Sequence, residues 1–117
     1  MYRLFLLLMI STTTVVAGDI DPSAALTALQ RPDSVLIDVR TTKEYAEGAL
    51  PGATRIETQD LAERIAKVAP DKNAPVVLHC RTGRRSSAAQ DLLQQLGYSQ
   101  VINAGGYDDL KEVVPPR

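Results

Sequence analysis

Val76-Val77-Leu78-His79-Cys80-Arg81-Thr82-Gly83-Arg84-Arg85-Ser86 is the stretch that decides how this chain folds. It opens with a continuous apolar run, as expected of a strand buried on both faces of a sheet. From Ser86 to Leu96, Ala88, Ala89, Leu92, Leu93 and Leu96 recur at helical spacing, and Gly97 stands where a C-terminal cap belongs. Residues 81–85 must therefore turn the chain from a strand into a helix starting near Ser86, and Gly83 permits the backbone angles of a tight turn.

Working outward, the same alternation continues. Asp21-Pro22 reads as an N-cap followed by proline in the first helical turn, with Ala25, Leu26 and Leu29 on the apolar side. Val35-Leu36-Ile37 is a second buried-strand run. Thr42 to Glu47 reads as a short helix ended by Gly48, and Thr54 to Ile56 as a short strand. Thr58 or Asp60 is expected to cap a helix carrying Leu61, Ile65 and Val68, which Pro70 stops. Val101-Ile102 is a last strand, and Gly105-Gly106 turns into a short terminal helix. Strands alternating with helices imply a parallel sheet with helices on both faces. In such sheets ligands bind beyond the carboxyl ends of the strands. Asp38-Val39-Arg40 follows one strong strand, and Cys80 closes the other.

Composition narrows the function classes. The 117 residues suit one domain, and 44% hydrophobic with 23% charged is an ordinary globular balance. A net charge of −1 argues against nucleic-acid binding, which needs a surplus of cations. One cysteine and one histidine cannot build a Cys/His zinc site, and no intramolecular disulfide can form. Residues 1–17 read as a secretory signal. Arg3 precedes the apolar run Leu4 to Ile10, and Val15 and Ala17 suit cleavage after Ala17. The run is far shorter than the roughly 20 residues that span a bilayer. The expectation is export to the periplasm, leaving residues 18–117 as a single domain free of the membrane. No large exposed apolar face is evident, so a monomer is expected.

The chemistry converges on Cys80. Amides of the turn after it can point inward as an anion-binding nest at a helix N-terminus. Arg81, Arg84 and Arg85 add full positive charges. Each effect favours thiolate over thiol, whose unperturbed pKa is about 8.5. Cys80 is therefore expected to be a nucleophile in an anion cradle rather than a small buried hydrophobe. His79 lies on the strand, faces away from Cys80, and is read as structural.

The stretch Cys80 to Ser86, C-R-T-G-R-R-S, resembles the active-site loop of rhodanese-like sulfurtransferases. Asp38-Val39-Arg40 resembles that family's D-V-R. Glu44-Tyr45 with Gly48 to Ala53 is similar to its E-[FY]…G-H-I-P-G-A segment, and Val101-Ile102 with Gly105-Gly106 to its V…L-x-G-G close. Ala49 stands where the family usually has histidine, and Leu110 where tryptophan is common. The resemblance implies a three-layer α/β domain, a parallel sheet of about five short strands flanked by helices. It implies transfer of the outer sulfur of thiosulfate to a thiophilic acceptor, cyanide or a thiol, through a Cys80 persulfide, with no metal or organic cofactor. Cys80 would be catalytic. Arg81, Thr82, Gly83, Arg84, Arg85 and Ser86 would bind substrate, the arginines through charge and the loop amides by holding the transferred sulfur. Asp38 and Arg40 are candidates for bordering the site, or form a structural ion pair bracing the loop.

Two other readings stand beside this one. His79-Cys80 and Gly83 are similar to the H-C-x-x-G-x-x-R-[ST] cradle of cysteine-dependent phosphatases, with which arsenate reductases are weighed. Arginine falls at the fifth place after the cysteine here, Arg85, and the shorter loop suits one sulfur better than a tetrahedral phosphate. A persulfide carrier that serves a partner protein without turning over small acceptors is the third.

Overall fold

The computed structural model describes residues 19–116. The expected signal segment, residues 1–17, lies outside them. The elements run in the order α1 (Pro22–Leu29), β1 (Val35–Asp38), α2 (Thr42–Glu47), β2 (Thr54–Arg55), a 3-10 turn (Thr58–Asp60), α3 (Leu61–Val68), β3 (Val76–Cys80), α4 (Arg84–Gln95), β4 (Val101–Gly106) and α5 (Tyr107–Leu110). The strands form one parallel sheet in the order β2-β1-β3-β4.

About five strands were expected, and the described residues hold four. Beyond β4 there is only a single parallel bridge from Ile20 to Asn103. Asp21 donates its N–H to Asn103 O at 2.8 Å, and its side chain then caps α1 by accepting from Ala24 N at 2.9 Å. Capping so soon after the bridge, with Pro22 next, ends extended structure before a strand can grow.

The period-2 alternation of strands sorts side chains into two cores. Ile37, Val76, Leu78 and Cys80 pack with Leu61, Ile65, Ala89 and Leu93, under α3 and α4. Leu36 and Val77 pack with Ala25, Ala28, Leu110 and Val114, under α1 and α5. Both faces of β1 and β3 are therefore covered, which is why these strands read as unbroken apolar runs. α2 starts on a capping box. Thr41 Oγ1 accepts from Glu44 N, and the Glu44 carboxylate accepts from Thr41 N.

Two expected boundaries move. Helix α4 starts at Arg84, two residues before the expected Ser86, because Gly83 alone completes the turn with φ +92°. Neither Thr58 nor Asp60 caps α3 with its side chain. The 3-10 turn closes that entrance instead, through the N–H of Leu61 donating to Thr58 O.

Candidate active site

Cys80 is the last residue of β3, the central strand flanked by β1 and β4. Its side chain is fully buried. Sγ accepts a hydrogen bond from the N–H of Gly83 at 2.9 Å, and Ser86 Oγ lies 3.4 Å away. Burial pushes the Cys80 thiol up. The amides of Ser86, Thr82 and Gly83 pull the other way, and when the Ser86 hydroxyl also donates to Sγ the net direction is down. The turn expected from sequence is thus a ring of amides around one sulfur, closed at Gly83, whose left-handed backbone favours glycine.

The loop is held from three sides. From β4, Asn103 reaches Gly83 O, Ser86 and Ser87. Gly106 pairs with Cys80 and lies against Arg81, where an added Cβ would stand 2.5 Å from Arg81 O. From the start of the domain, the Ile20 side chain presses on the backs of Gly83 and Gly105, where added Cβ atoms would meet it at 2.5 and 2.9 Å. Gly106→Ala is expected to displace the loop and cost about 1–3 kcal/mol, the usual penalty of overpacking. A urea midpoint unchanged from the parent protein would contradict this.

The three loop arginines take different positions. Arg81 and Arg84 are exposed, as is Thr82. Arg85 is pinned by Glu44 of α2 through paired contacts, Nη1 to Oε1 at 2.8 Å and Nη2 to Oε2 at 2.9 Å. This guanidinium, with Thr41 adding hydrogen bonds, holds the Glu44 carboxyl at about 2. An unfolded glutamate titrates near 4.3, about two units higher. The clamp's contribution to stability is therefore full above that value and is lost as the pH falls through about 2. Glu44→Gln is expected to flatten the acid limb of a stability-against-pH curve between roughly pH 4.5 and 2. An unchanged limb would show that the pair is not felt.

Asp38 and Arg40 form a buried ion pair at the end of β1. Asp38 accepts from Arg40 Nε at 2.9–3.0 Å, from Nη2 at 2.7 Å and from the Arg40 N–H at 2.9 Å. Arg40 Nη2 also donates to Gly48 O at 2.7 Å, and its guanidinium lies 4.2 Å from the Tyr107 ring centre. Arg40 nevertheless reaches a polar cleft of about 190 Å³ lined by Glu44, Glu47, Gly48, Arg81, Tyr107 and Asp108. Arg40 thus both braces the strand end and borders the cleft, whereas Asp38 is wholly buried. His79 lies on the opposite sheet face from Cys80, stacked on Tyr107. Burial lowers its pKa against the pull of Asp38, so it stays neutral there. Its Nε2 is 3.6 Å from Asp38 Oδ2, too long for a hydrogen bond.

Asn103 is not among the residues expected at the site, and Glu44 is expected only as part of a motif. Each left a signal. Asn103 is a polar residue in an otherwise apolar buried strand, and Glu44 completes a T-x-x-E capping box. No group of His, Cys, Asp or Glu among the described residues has a metal-binding arrangement.

Residues 21–112 match the family described as rhodanese-like domain. The chain belongs to that family. The rhodanese-like domain is 41% identical over 81 residues to the thiosulfate sulfurtransferase PspE of Escherichia coli (strain K12), covering 69% of this chain and 75% of the relative. It is 32% identical over 97 residues to the thiosulfate sulfurtransferase GlpE of Pseudomonas entomophila (strain L48), covering 82% and 86%. Among solved structures it matches an E. coli rhodanese with anions at TM-score 0.66 and 39% identity, over 70% of this chain and 94% of that one. A human single-domain sulfurtransferase matches at TM-score 0.67 and 28% identity, over 83% and 97%. Homology assigns this rhodanese-like domain the activity of a sulfurtransferase.

Proposed function

We propose that the chain is a thiosulfate sulfurtransferase that works through a persulfide on Cys80. The observation that carries this is the amide ring around Sγ, led by the 2.9 Å contact from Gly83 N–H. The Cys80 thiolate attacks the outer sulfur of thiosulfate. A bond forms from Sγ to that sulfur, and the sulfur–sulfur bond of thiosulfate breaks with its electron pair leaving as sulfite. The outer persulfide sulfur carries the negative charge, which inward amides stabilise. Cyanide, or a thiol, then takes the outer sulfur and returns the electron pair to Sγ. Neither step needs a proton, which suits a site whose one histidine faces away.

Arg81 and Arg84 supply charge for the anionic donor, and Thr82, Gly83, Arg85 and Ser86 shape the cradle. Arg81 and Arg40 give the adjoining cleft its positive wall. The names of the relatives support thiosulfate as donor, and the anion-bearing E. coli structure supports an anion site. The domain acts in the periplasm as a monomer after cleavage following Ala17. No helix among the described residues is long and apolar enough to cross a membrane.

The test is thiocyanate formation from thiosulfate and cyanide. Turnover of aryl phosphate with no thiocyanate would overturn the proposal in favour of the phosphatase reading. A protein that gains one sulfur by mass yet yields it to no small acceptor would favour a relay. Arg81→Ala and Arg84→Ala are each expected to raise the thiosulfate KM by up to about tenfold, or ~1.4 kcal/mol. Arg85→Ala should raise it further, because the Glu44 carboxylate then faces the donor unpaired. Unchanged KM in all three would make these arginines solvated bystanders.

A further inference from the structure

The hydrogen bonds around Asn103 fix where one proton sits. Gly105 N–H, which can only donate, reaches Asn103 Oδ1 at 3.0 Å. Asn103 Nδ2 donates to Gly83 O, which can only accept, at 3.0 Å, and to Ser87 Oγ at 2.9 Å. The amide is therefore held in one orientation. Ser86 Oγ stands 2.7 Å from Oδ1 and must be the donor in that contact. A hydroxyl has one proton. Ser86 consequently turns a lone pair, not its proton, toward Cys80 Sγ 3.4 Å away.

That orientation suits an uncharged Sγ: a thiol, whose S–H can donate into the lone pair, or the inner sulfur of a persulfide. It does not suit a thiolate. To support the thiolate, the hydroxyl must rotate and give up the Asn103 contact. We propose that Asn103 is a positioning residue for Cys80, holding the Ser86 proton so that this hydroxyl favours the uncharged sulfur over the thiolate. The backbone amides and the cations of the loop, not this hydroxyl, then stabilise the thiolate. Asn103 thereby keeps the sulfur more basic than the bare cradle would, and a more basic thiolate is intrinsically the better nucleophile. The proposal rests on Cys80 being the reacting sulfur.

Several charged groups surround the site. Arg81 and Arg84 lie on the loop, Arg85 of α4 is paired with Glu44 of α2, and Asp38 with Arg40 and the neutral His79 lie at the neighbouring strand ends. All of them are present in every variant below, so differences between variants report on the hydroxyl. The chain has one cysteine, so ultraviolet thiolate absorbance, followed below the pH at which its tyrosines ionise, reports Cys80 and needs no turnover. It therefore gives an answer whether or not thiocyanate forms.

Asn103→Ala frees the hydroxyl and is expected to increase the ionisation constant of Cys80 about tenfold, one pH unit. In a Ser86→Ala background the same change is expected to have less than about a threefold effect. Ser86→Ala alone is expected to shift ionisation by less than about threefold, and Ser86→Thr to match the parent. An equal Asn103→Ala shift with and without Ser86 would overturn the proposal, because Asn103 would then act through loop geometry. A decrease of tenfold or more with Ser86→Ala would also overturn it, because the hydroxyl would already serve the thiolate. If Asn103→Ala does not fold, the Ser86→Ala midpoint decides alone.

Discussion

Cys80→Ser is expected to lower thiocyanate formation by a factor on the order of 10³ or more, with the fold retained. A serine hydroxyl stays protonated near neutral pH, so the cradle has no anion to present to the donor. Its oxygen cannot carry a transferred sulfur as a persulfide. The serine oxygen can still take the Gly83 N–H, so the loop keeps its central contact and the protein should fold. Two measurements separate the outcomes. The variant should show a near-parent urea transition, and its intact mass should not change after thiosulfate. The parent protein should gain one sulfur atom. Because Cys80 is the single cysteine of the chain, persistent turnover in the variant would remove persulfide chemistry from the account altogether.

The second large effect is on stability. Asp38→Ala leaves the Arg40 guanidinium buried with only Gly48 O and the face of Tyr107 as partners. Breaking a buried pair by removing one partner costs about 3–5 kcal/mol, a large share of the roughly 5–15 kcal/mol that holds a small domain folded. A fall in melting temperature of at least about 12 °C is expected for a domain of this size. Replacing both partners, Asp38→Ala with Arg40→Met, should recover most of the loss, because no uncompensated charge remains. A single variant as stable as the double one would show that solvent reaches Arg40 and screens it. Thiosulfate KM read on the double variant then reports what Arg40 contributes to the cleft.

Much of the site was legible because it is local in sequence. A strand, a glycine turn and a helix start are written in consecutive residues from Val76 to Ser86. Backbone sterics at Gly83 leave few ways to connect them, so the inward amides could be expected from the sequence. The alternation of apolar runs gave the parallel sheet for a similar reason, since β1 and β3 are covered on both faces. Contacts between distant segments were less legible. Arg85 read as a free substrate-binding cation, whereas 41 positions earlier Glu44 had already claimed it. The capping box at Thr41 marked Glu44 as a helix-start residue, and nothing local says that the same carboxylate also reaches α4. Asn103 is the sharper case. Its importance lies in three hydrogen bonds, to Gly83, Ser86 and Ser87, residues brought near it by β3–β4 pairing and by α4, and only its polarity within an apolar strand betrays it. The count of about five strands came with the family resemblance, whereas the strand runs themselves numbered four, and at Ile20 the chain makes only a single bridge.

Ile20 also has a practical side. Its side chain closes the underside of the Cys80 loop although the residue is 49% exposed, and its bridge to Asn103 ties the first described residues to the support of that loop. An affinity tag or fusion partner joined directly ahead of Asp19 would therefore pull on the loop, and its bulk would be felt as altered activity with no residue of the cradle changed. Attachment beyond Pro116 leaves this strap alone. Kinetic comparisons between preparations tagged at opposite ends would then measure the strap itself.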